Sequence, residues 1–199
     1  MRDLSLSILD IVENSIAAKA TKVKILVEED LEKDQLRITI TDNGRGIDGK
    51  YLLKVTDPFV TTKTYRRVGL GLSLLKTKAQ QCHGDLTISS QPGEGTTVKV
   101  VFQYGHIDRP PLGDIASTLV CIILANPGLD VLYQHTVGNV VYRLDTRRIK
   151  KITGESRLRK KDVLALISQD IEEGLSMLEK ERRKVFKQIF GYLPRVELA

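Results

Sequence analysis

A chain of 199 residues with 41% hydrophobic and 28% charged residues and a net charge of +6 has apolar material for one large globular domain, or for one domain with an appendage. No apolar run approaches the ~20 residues of a membrane span, and the start of the chain lacks the charged-then-apolar pattern of an export signal. A cytoplasmic protein without membrane contact is therefore expected. Cys82 and Cys121 have neither metal nor redox spacing and read as reduced, buried thiols. The charge is unevenly spread. Residues 1–146 hold 17 Lys and Arg against 17 Asp and Glu, and residues 147–199 hold 14 against 8. A basic segment of this kind more often touches something acidic than does a diffusely basic surface.

Residues 3–20 read as a helix, with Leu4, Ile8, Ile11, Val12 and Ile16 at helical spacing on an apolar face. Asp10 and Asn14, four apart, lie one above the other on a different face. From spacing alone they are two solvated positions on a surface helix; the alternative is a carboxylate and an amide converging on a metal and a water. Val23, Ile25 and Val27 mark a strand, Asp30 to Asp34 a polar turn, and Leu36, Ile38 and Ile40 a second strand that pairs antiparallel with the first. That strand delivers Asp42-Asn43-Gly44-Arg45-Gly46. A carboxylate at the mouth of a strand can accept a hydrogen bond from a ligand amine, and the two glycines let a flat ring approach the main chain closely. Taken alone, Asp-Asn-Gly is most often just a hairpin turn.

Residues 47–68 lack periodicity and read as a loop whose Thr61, Thr62 and Lys63 could offer hydroxyls and a cation to phosphates. Gly69-Leu70-Gly71-Leu72 then runs into a helix over Ser73 to Cys82, and glycines opening a helix expose unpaired N–H groups at its positive end. Leu86 to Ser90 and Thr96 to Tyr104 make a second hairpin around Gln91-Pro92-Gly93-Glu94-Gly95.

The ordered set Asn14, Asp42-x-Gly44-x-Gly46, Pro58-Phe59-x-Thr61-Thr62-Lys63, Gly69-x-Gly71 and Gly95-Thr96-Thr97 resembles the ATP-binding domain of the gyrase, Hsp90, histidine kinase and MutL (GHKL) superfamily over about residues 5–104. The middle section is most similar to sensor kinases, and Glu13-Asn14-Ser15 to MutL. The resemblance implies an α+β fold, a two-layer α/β sandwich of the Bergerat type, with ATP and Mg²⁺ as ligands. It implies that Asp42 accepts the adenine amino group with Gly44, Gly46 and Thr97 assisting. It also implies that Asn14 coordinates Mg²⁺, that Thr61, Thr62, Lys63, Gly69, Leu70 and Gly71 hold the phosphates, and that residues 47–68 form a lid. Two departures bear on rate. Asp10 stands where family ATPases commonly carry a glutamate general base and sensor kinases an asparagine, and Ala17 stands where sensor kinases usually carry lysine. The resemblance leaves nucleotide binding intact and puts turnover in question.

Residues 108–112 read as a linker, Asp114 as the N-cap of a helix over Ile115 to Ala125, and Val131 to Val137 with Val140 to Thr146 as a hairpin around Gly138-Asn139. The helix is apolar nearly all round, so burial against the first domain is expected. From Asp162, Leu164, Ile167, Ile171, Leu175 and Leu178 form a helical stripe that runs on to Gly191, with Gly174 as a place to bend or split it. Such a stripe is most often intramolecular core; on a basic tail it also suits a protein partner or a homodimer. The expected division is an ATP-binding domain over 1–107, a helix-and-hairpin extension packed on it over 108–154, and a basic helical tail over 155–199.

The expected function is an ATP- and Mg²⁺-binding regulatory module acting on or through a protein partner, as a slow ATPase or a protein kinase with Asp10 as its base. A second reading is the catalytic half of a split histidine kinase. His83, His106 and His135 are the only histidines, and none lies in a dimerisation-helix context. A third is an ATP-gated nucleic-acid binder working through the tail. It ranks last, because the tail has no interleaved aromatics or DNA-reading motif.

Overall fold

The computed structural model describes residues 3–52, 70–154, 158 and 160–191. Helix α1 (Leu4–Ala17) starts where Asp3 accepts the N–H of Leu6, and it turns Leu4, Ile8, Ile11 and Val12 into the core. The alternating strands β1 (Lys22–Asp30) and β2 (Gln35–Asp42) pair antiparallel, from Val23 opposite Asp42 to Asp30 opposite Gln35. After the short helix α2 (Gly49–Leu52), helix α3 (Leu70–Gln81) leads into the hairpin of β3 (Asp85–Gln91) and β4 (Gly95–Gln103).

The stretch read as a linker has a structural task. The carbonyls of Pro111 and Leu112 accept the N–H groups of Leu4 and Ser5 at 2.9 and 2.8 Å, filling two of the donors that the first turn of α1 leaves open. Helix α4 (Ile115–Ala125) follows, capped by Asp114. Then come β5 (Asp130–Val137), β6 (Val140–Asp145), α5 (Thr146–Thr153) and α6 (Lys161–Phe190).

The strands form one mixed sheet in the order β3-β4-β2-β1-β5-β6. All neighbours are antiparallel except β1 and β5, which run parallel from Lys22 opposite Asp130 to Glu29 opposite Val137. The hairpin of the second half thus extends the sheet of the first. Helices α3, α1, α4 and α6 touch in that order and cover one face. Beneath them lie Val23, Ile25 and Val27 of β1, Leu36, Ile38 and Ile40 of β2, Val98, Val100 and Phe102 of β4, and Tyr133 and Leu144 of the second hairpin. The fold is a mixed α/β, two-layer arrangement with its core between sheet and helices.

One sequence expectation holds in part, since α4 packs on α1, and two change. Helix α4 is buried on one side only: Leu119, Ile122 and Ile123 face the core, whereas Cys121 and Leu124 are exposed. Cys82 is the one buried thiol of the two. Gly174 neither bends nor splits α6. It lets the helix close onto the Tyr142 ring, whose Cδ2 would lie 2.2 Å from a β-carbon there. The stripe of Ile167, Ile171 and Leu178 is buried core.

Candidate functional site

Strand alternation turns Asp42 to the same side as Ile40 and Ile38, the side facing the helices. There the Ser15 hydroxyl of α1 donates to Asp42 Oδ2 at 2.7 Å, and the N–H of Gly44 donates to Oδ1 at 2.8 Å. Each carboxylate oxygen therefore has one donor and keeps acceptor capacity for another, a fit to an incoming amine. Ser15 is 2% exposed. It was missed from sequence because it breaks no helical pattern, and its place beside Asn14 was the only signal.

The loop after Asp42 is held on three sides. Asn43 does not face the carboxylate's side; its Oδ1 accepts the N–H groups of Thr21 and Lys22 at 3.0 and 2.8 Å and ties the loop to the start of β1. Gly44 lies against α1, with Ala18 Cβ 2.9 Å from any added β-carbon, and the Arg45 N–H donates to the Ala18 carbonyl. Gly46 has φ +70°, and a β-carbon there would fall 1.9 Å from the Gln91 carbonyl oxygen, so this close approach to the β3–β4 turn admits only glycine. Ser90 Oγ accepts the Ile47 N–H and so joins the start of residues 47–52 to that turn.

The register separates two neighbouring threonines. Thr96 is paired with Asp42 on β2, and Thr97 with Thr41. Thr97 points to the open face of the sheet, where its hydroxyl meets that of Thr41 at 3.1 Å. Thr96, half-buried and 3.0 Å from Ser90 Oγ, lies on the side of Asp42. A single residue's difference places the two hydroxyls on opposite faces.

Helix α1 runs from this carboxylate toward α3. Asp10 and Asn14 are both exposed. Asp10 reaches the opening of α3, where a β-carbon on Gly71 would lie 3.4 Å from Asp10 Oδ2. Ser15 and Asp10 are five residues apart, roughly 7.5 Å along the helix. Helix α1 thus spans from a hydrogen-bonded carboxylate, held at Ser15, to a helix N-terminus beside Asp10. Leu70 and Gly71 form the first turn of α3, whose N–H groups and dipole favour an anion. Thr61, Thr62, Lys63 and Gly69 lie outside the described residues, as does most of the expected lid.

Among the described residues no group of three or more His, Cys, Asp and Glu side chains is arranged to hold a metal ion. An ion held by Asn14 would therefore depend on ligands from elsewhere, as it does when phosphates share it. Among the described residues no helix is long and apolar enough to cross a membrane.

The family model described as "Histidine kinase-, DNA gyrase B-, and HSP90-like ATPase" matches residues 2–106. An uncharacterized sensor-like histidine kinase of Rhizobium meliloti is 35% identical over 98 residues, covering 47% of this chain and 19% of its own length. The signal transduction histidine-protein kinase AtoS of Escherichia coli is 37% identical over 95 residues, 47% of this chain and 16% of its own. Sensor protein kinase FleS of Pseudomonas aeruginosa is 37% identical over 96 residues, 48% and 23%. The chain thus spans less than a quarter of the length of these relatives. In fold it is similar to the N-terminal domain of a DNA repair protein, with a TM-score of 0.51 and 17% identity over 76% of this chain and 57% of that one.

Proposed function

This chain belongs to the histidine kinase-, DNA gyrase B- and HSP90-like ATPase family, and from that premise we propose that it is a Mg-ATP-binding regulatory module acting on or through a protein partner. The observation that carries this reading is Asp42, fixed by Ser15 and the Gly44 N–H with acceptor capacity to spare, with the glycine-opened start of α3 beside Asp10 further along the same helix. ATP presents an amine at one end and clustered negative charge at the other. A carboxylate suits the first and a helix N-terminus the second.

In this reading Asp42 accepts the adenine amine, Gly44 and Gly46 let the ring approach, and Thr96 replaces Thr97 as the assisting hydroxyl. The N–H groups at Leu70 and Gly71 hold phosphate oxygens, with Thr61, Thr62, Lys63 and Gly69 assigned to the same task from sequence. Asn14 holds Mg²⁺. Bound Mg-ATP supplies the transferable phosphoryl group. Asp10 stands beside the opening of α3 as the acceptor of a proton from water or from a partner's hydroxyl or imidazole. Its side chain is a methylene shorter than glutamate, and positioning governs general-base efficiency, so turnover is slow. Asp10→Asn should abolish turnover and spare ATP affinity, measured by phosphate release and calorimetry on one preparation. Wild-type turnover near the ~10 s⁻¹ of an ordinary enzyme would contradict the regulatory reading.

Asp42→Asn tests the binding site directly. The amide can present a donor to the adenine amine, and a charge-assisted hydrogen bond is worth about 1.5–3 kcal/mol, so affinity falls about tenfold or more. Unchanged affinity by calorimetry would remove Asp42 from the site.

The names of the relatives favour one second reading, the catalytic half of a split histidine kinase. On that reading the phosphoacceptor belongs to another protein. His135 is 1% exposed, and His83 lies just past the C-terminal end of α3, away from the helix N-terminus that faces Asp10. Transfer of labelled phosphate to added candidate proteins separates this reading from a binding-only module.

A further inference from the structure

We propose that the outer edge of β6 and the outward face of α5 together receive an acidic, extended protein segment as an added strand of the sheet; this rests on the reading of the chain as a module working through a protein partner, and it names that partner's chemistry. β6 ends the strand order, and among the described residues no strand pairs with its outer side. Its alternation is sharp. Tyr142 and Leu144 are buried, whereas Val141 is 51% exposed and Arg143 is exposed on the other face. The opposite edge, β3, is unlike it: Thr87, Ser89 and Gln91 point outward, a polar row that offers no apolar anchor.

Helix α5 begins at the residue after β6, and Lys150 ties it to the Leu129 carbonyl and to Asp130 at the start of β5. Thr146 is buried, and Ile149, Lys150 and Thr153 turn toward the protein. Arg147, Arg148, Lys151 and Ile152 form the outward arc, with Ile152 82% exposed. Asp145 neutralises Arg147, and Asp130 neutralises Lys150, at 2.8 Å each. Arg143, Arg148 and Lys151 have no ion pair among the described residues. In sequence, residues 143–161 carry nine Lys and Arg against two Asp and Glu, a surplus of 7 in a chain whose net charge is +6. The remainder is thus nearly neutral, and the positive charge of the molecule is concentrated on this stretch.

An unpaired strand edge offers a row of backbone donors and acceptors that a peptide can satisfy and a phosphodiester or a lipid headgroup cannot. Val141 and Ile152, set among cations, match apolar side chains alternating with carboxylates. A nucleic acid would use the cations and leave both apolar groups idle. The stretch also turns no aromatic ring outward for a base to stack on, since Tyr142 is buried.

The test uses the full chain and a labelled peptide of alternating Glu and Val, long enough to lie along β6. Anisotropy should show saturable binding, and hydrogen exchange should slow at those alternate β6 amides between Val140 and Asp145 that point away from β5. Charge reversal at Arg143→Glu, Arg148→Glu and Lys151→Glu together should weaken binding by about tenfold or more at low salt. A peptide N-methylated at alternate residues should lose binding through its backbone alone. Absent saturable binding, equal binding of the N-methylated peptide, or tighter binding of duplex DNA or anionic vesicles with the same charge dependence would each overturn the proposal. ATP calorimetry on the same wild-type and variant proteins reports separately on the nucleotide site, which these substitutions leave untouched.

Discussion

Thr96 and Thr97 are chemically identical, and only the strand register distinguishes them. Thr96 sits opposite Asp42 and beside Ser90; Thr97 shares the open face with Thr41. Thr96→Val should lower ATP affinity by about two- to tenfold, the worth of one neutral hydrogen bond. Thr97→Val removes a hydroxyl on the far side and keeps a β-branched strand former, so affinity should stay within about twofold. Parallel calorimetry on the two variants decides it, and the reverse order would return the role to Thr97. The pair also marks what the sequence holds at this scale. Asp42 could be placed at the end of a strand because Leu36, Ile38 and Ile40 alternate without a break. Val98, Val100 and Phe102 alternate through the same strand and put Thr96 on their buried side, but that β4 pairs with β2 and sets Thr96 opposite Asp42 is a long-range fact the spacing does not carry. Ser15 was hidden for a different reason: a buried serine inside a helix shows its purpose only when its acceptor, 27 positions away, is in place.

Helix α6 shows the same limit at the scale of an element. Its stripe, its length and its stop at Gly191, which has φ +74°, follow from spacing and from glycine's freedom. Which body covers the stripe does not. The sequence offers that face to a partner or a second copy. In the fold Ile167, Ile171 and Leu178 close the core over the second hairpin, with Leu164 and Leu175 packed at its margin. Removing residues from 156 onward should therefore unfold the protein, not simply release a tail. Gly174 provides a sharper test. In a free helix Gly→Ala gains about 1 kcal/mol. Here the added carbon meets the Tyr142 ring, and that ring cannot swing away easily because it is 6% exposed and its hydroxyl donates to Asp170 at 2.8 Å. Overpacking of this kind costs about 1–3 kcal/mol, so Gly174→Ala should lower the melting temperature. In a Tyr142→Leu background, where the ring is gone, the same change should be neutral or stabilising. A drop of equal size in both backgrounds would show that the ring is not the obstacle.

Across the whole molecule, the two halves of the chain are bound by a buried charge that neither half balances alone. Glu29 of β1 is 3% exposed; Arg182 of α6 donates to both its oxygens at 2.7 Å, and His135 of β5 meets Oε1 at 2.6 Å. An ionised carboxylate only accepts, so His135 Nε2 donates, leaving Nδ1 facing the Tyr133 hydroxyl at 2.8 Å. Tyr104 also faces this carboxylate, and Glu179 shares the guanidinium of Arg182. Burial pushes the Glu29 carboxyl up, but the hydrogen bonds from Arg182 and His135, with the charge of the guanidinium, outweigh it and hold the group at about 2. An unfolded glutamate titrates near ~4.3. The folded pKa is the lower of the two, so this contribution to stability is complete above about 4.3 and is lost as the pH falls toward 2. Urea unfolding at stepped pH should show that loss in the wild type and a flatter course across the same window in Glu29→Gln. Arg182→Met leaves the carboxylate buried beside His135 without its main partner, at about 3–5 kcal/mol of stability near neutral pH. Glu29→Met combined with Arg182→Met removes the charge as well as its partner and should recover most of that loss, because the penalty lies in the orphaned ion more than in the missing bond. If the double variant is as unstable as Arg182→Met alone, the ion pair supplies net stability and the apolar replacement does not substitute for it.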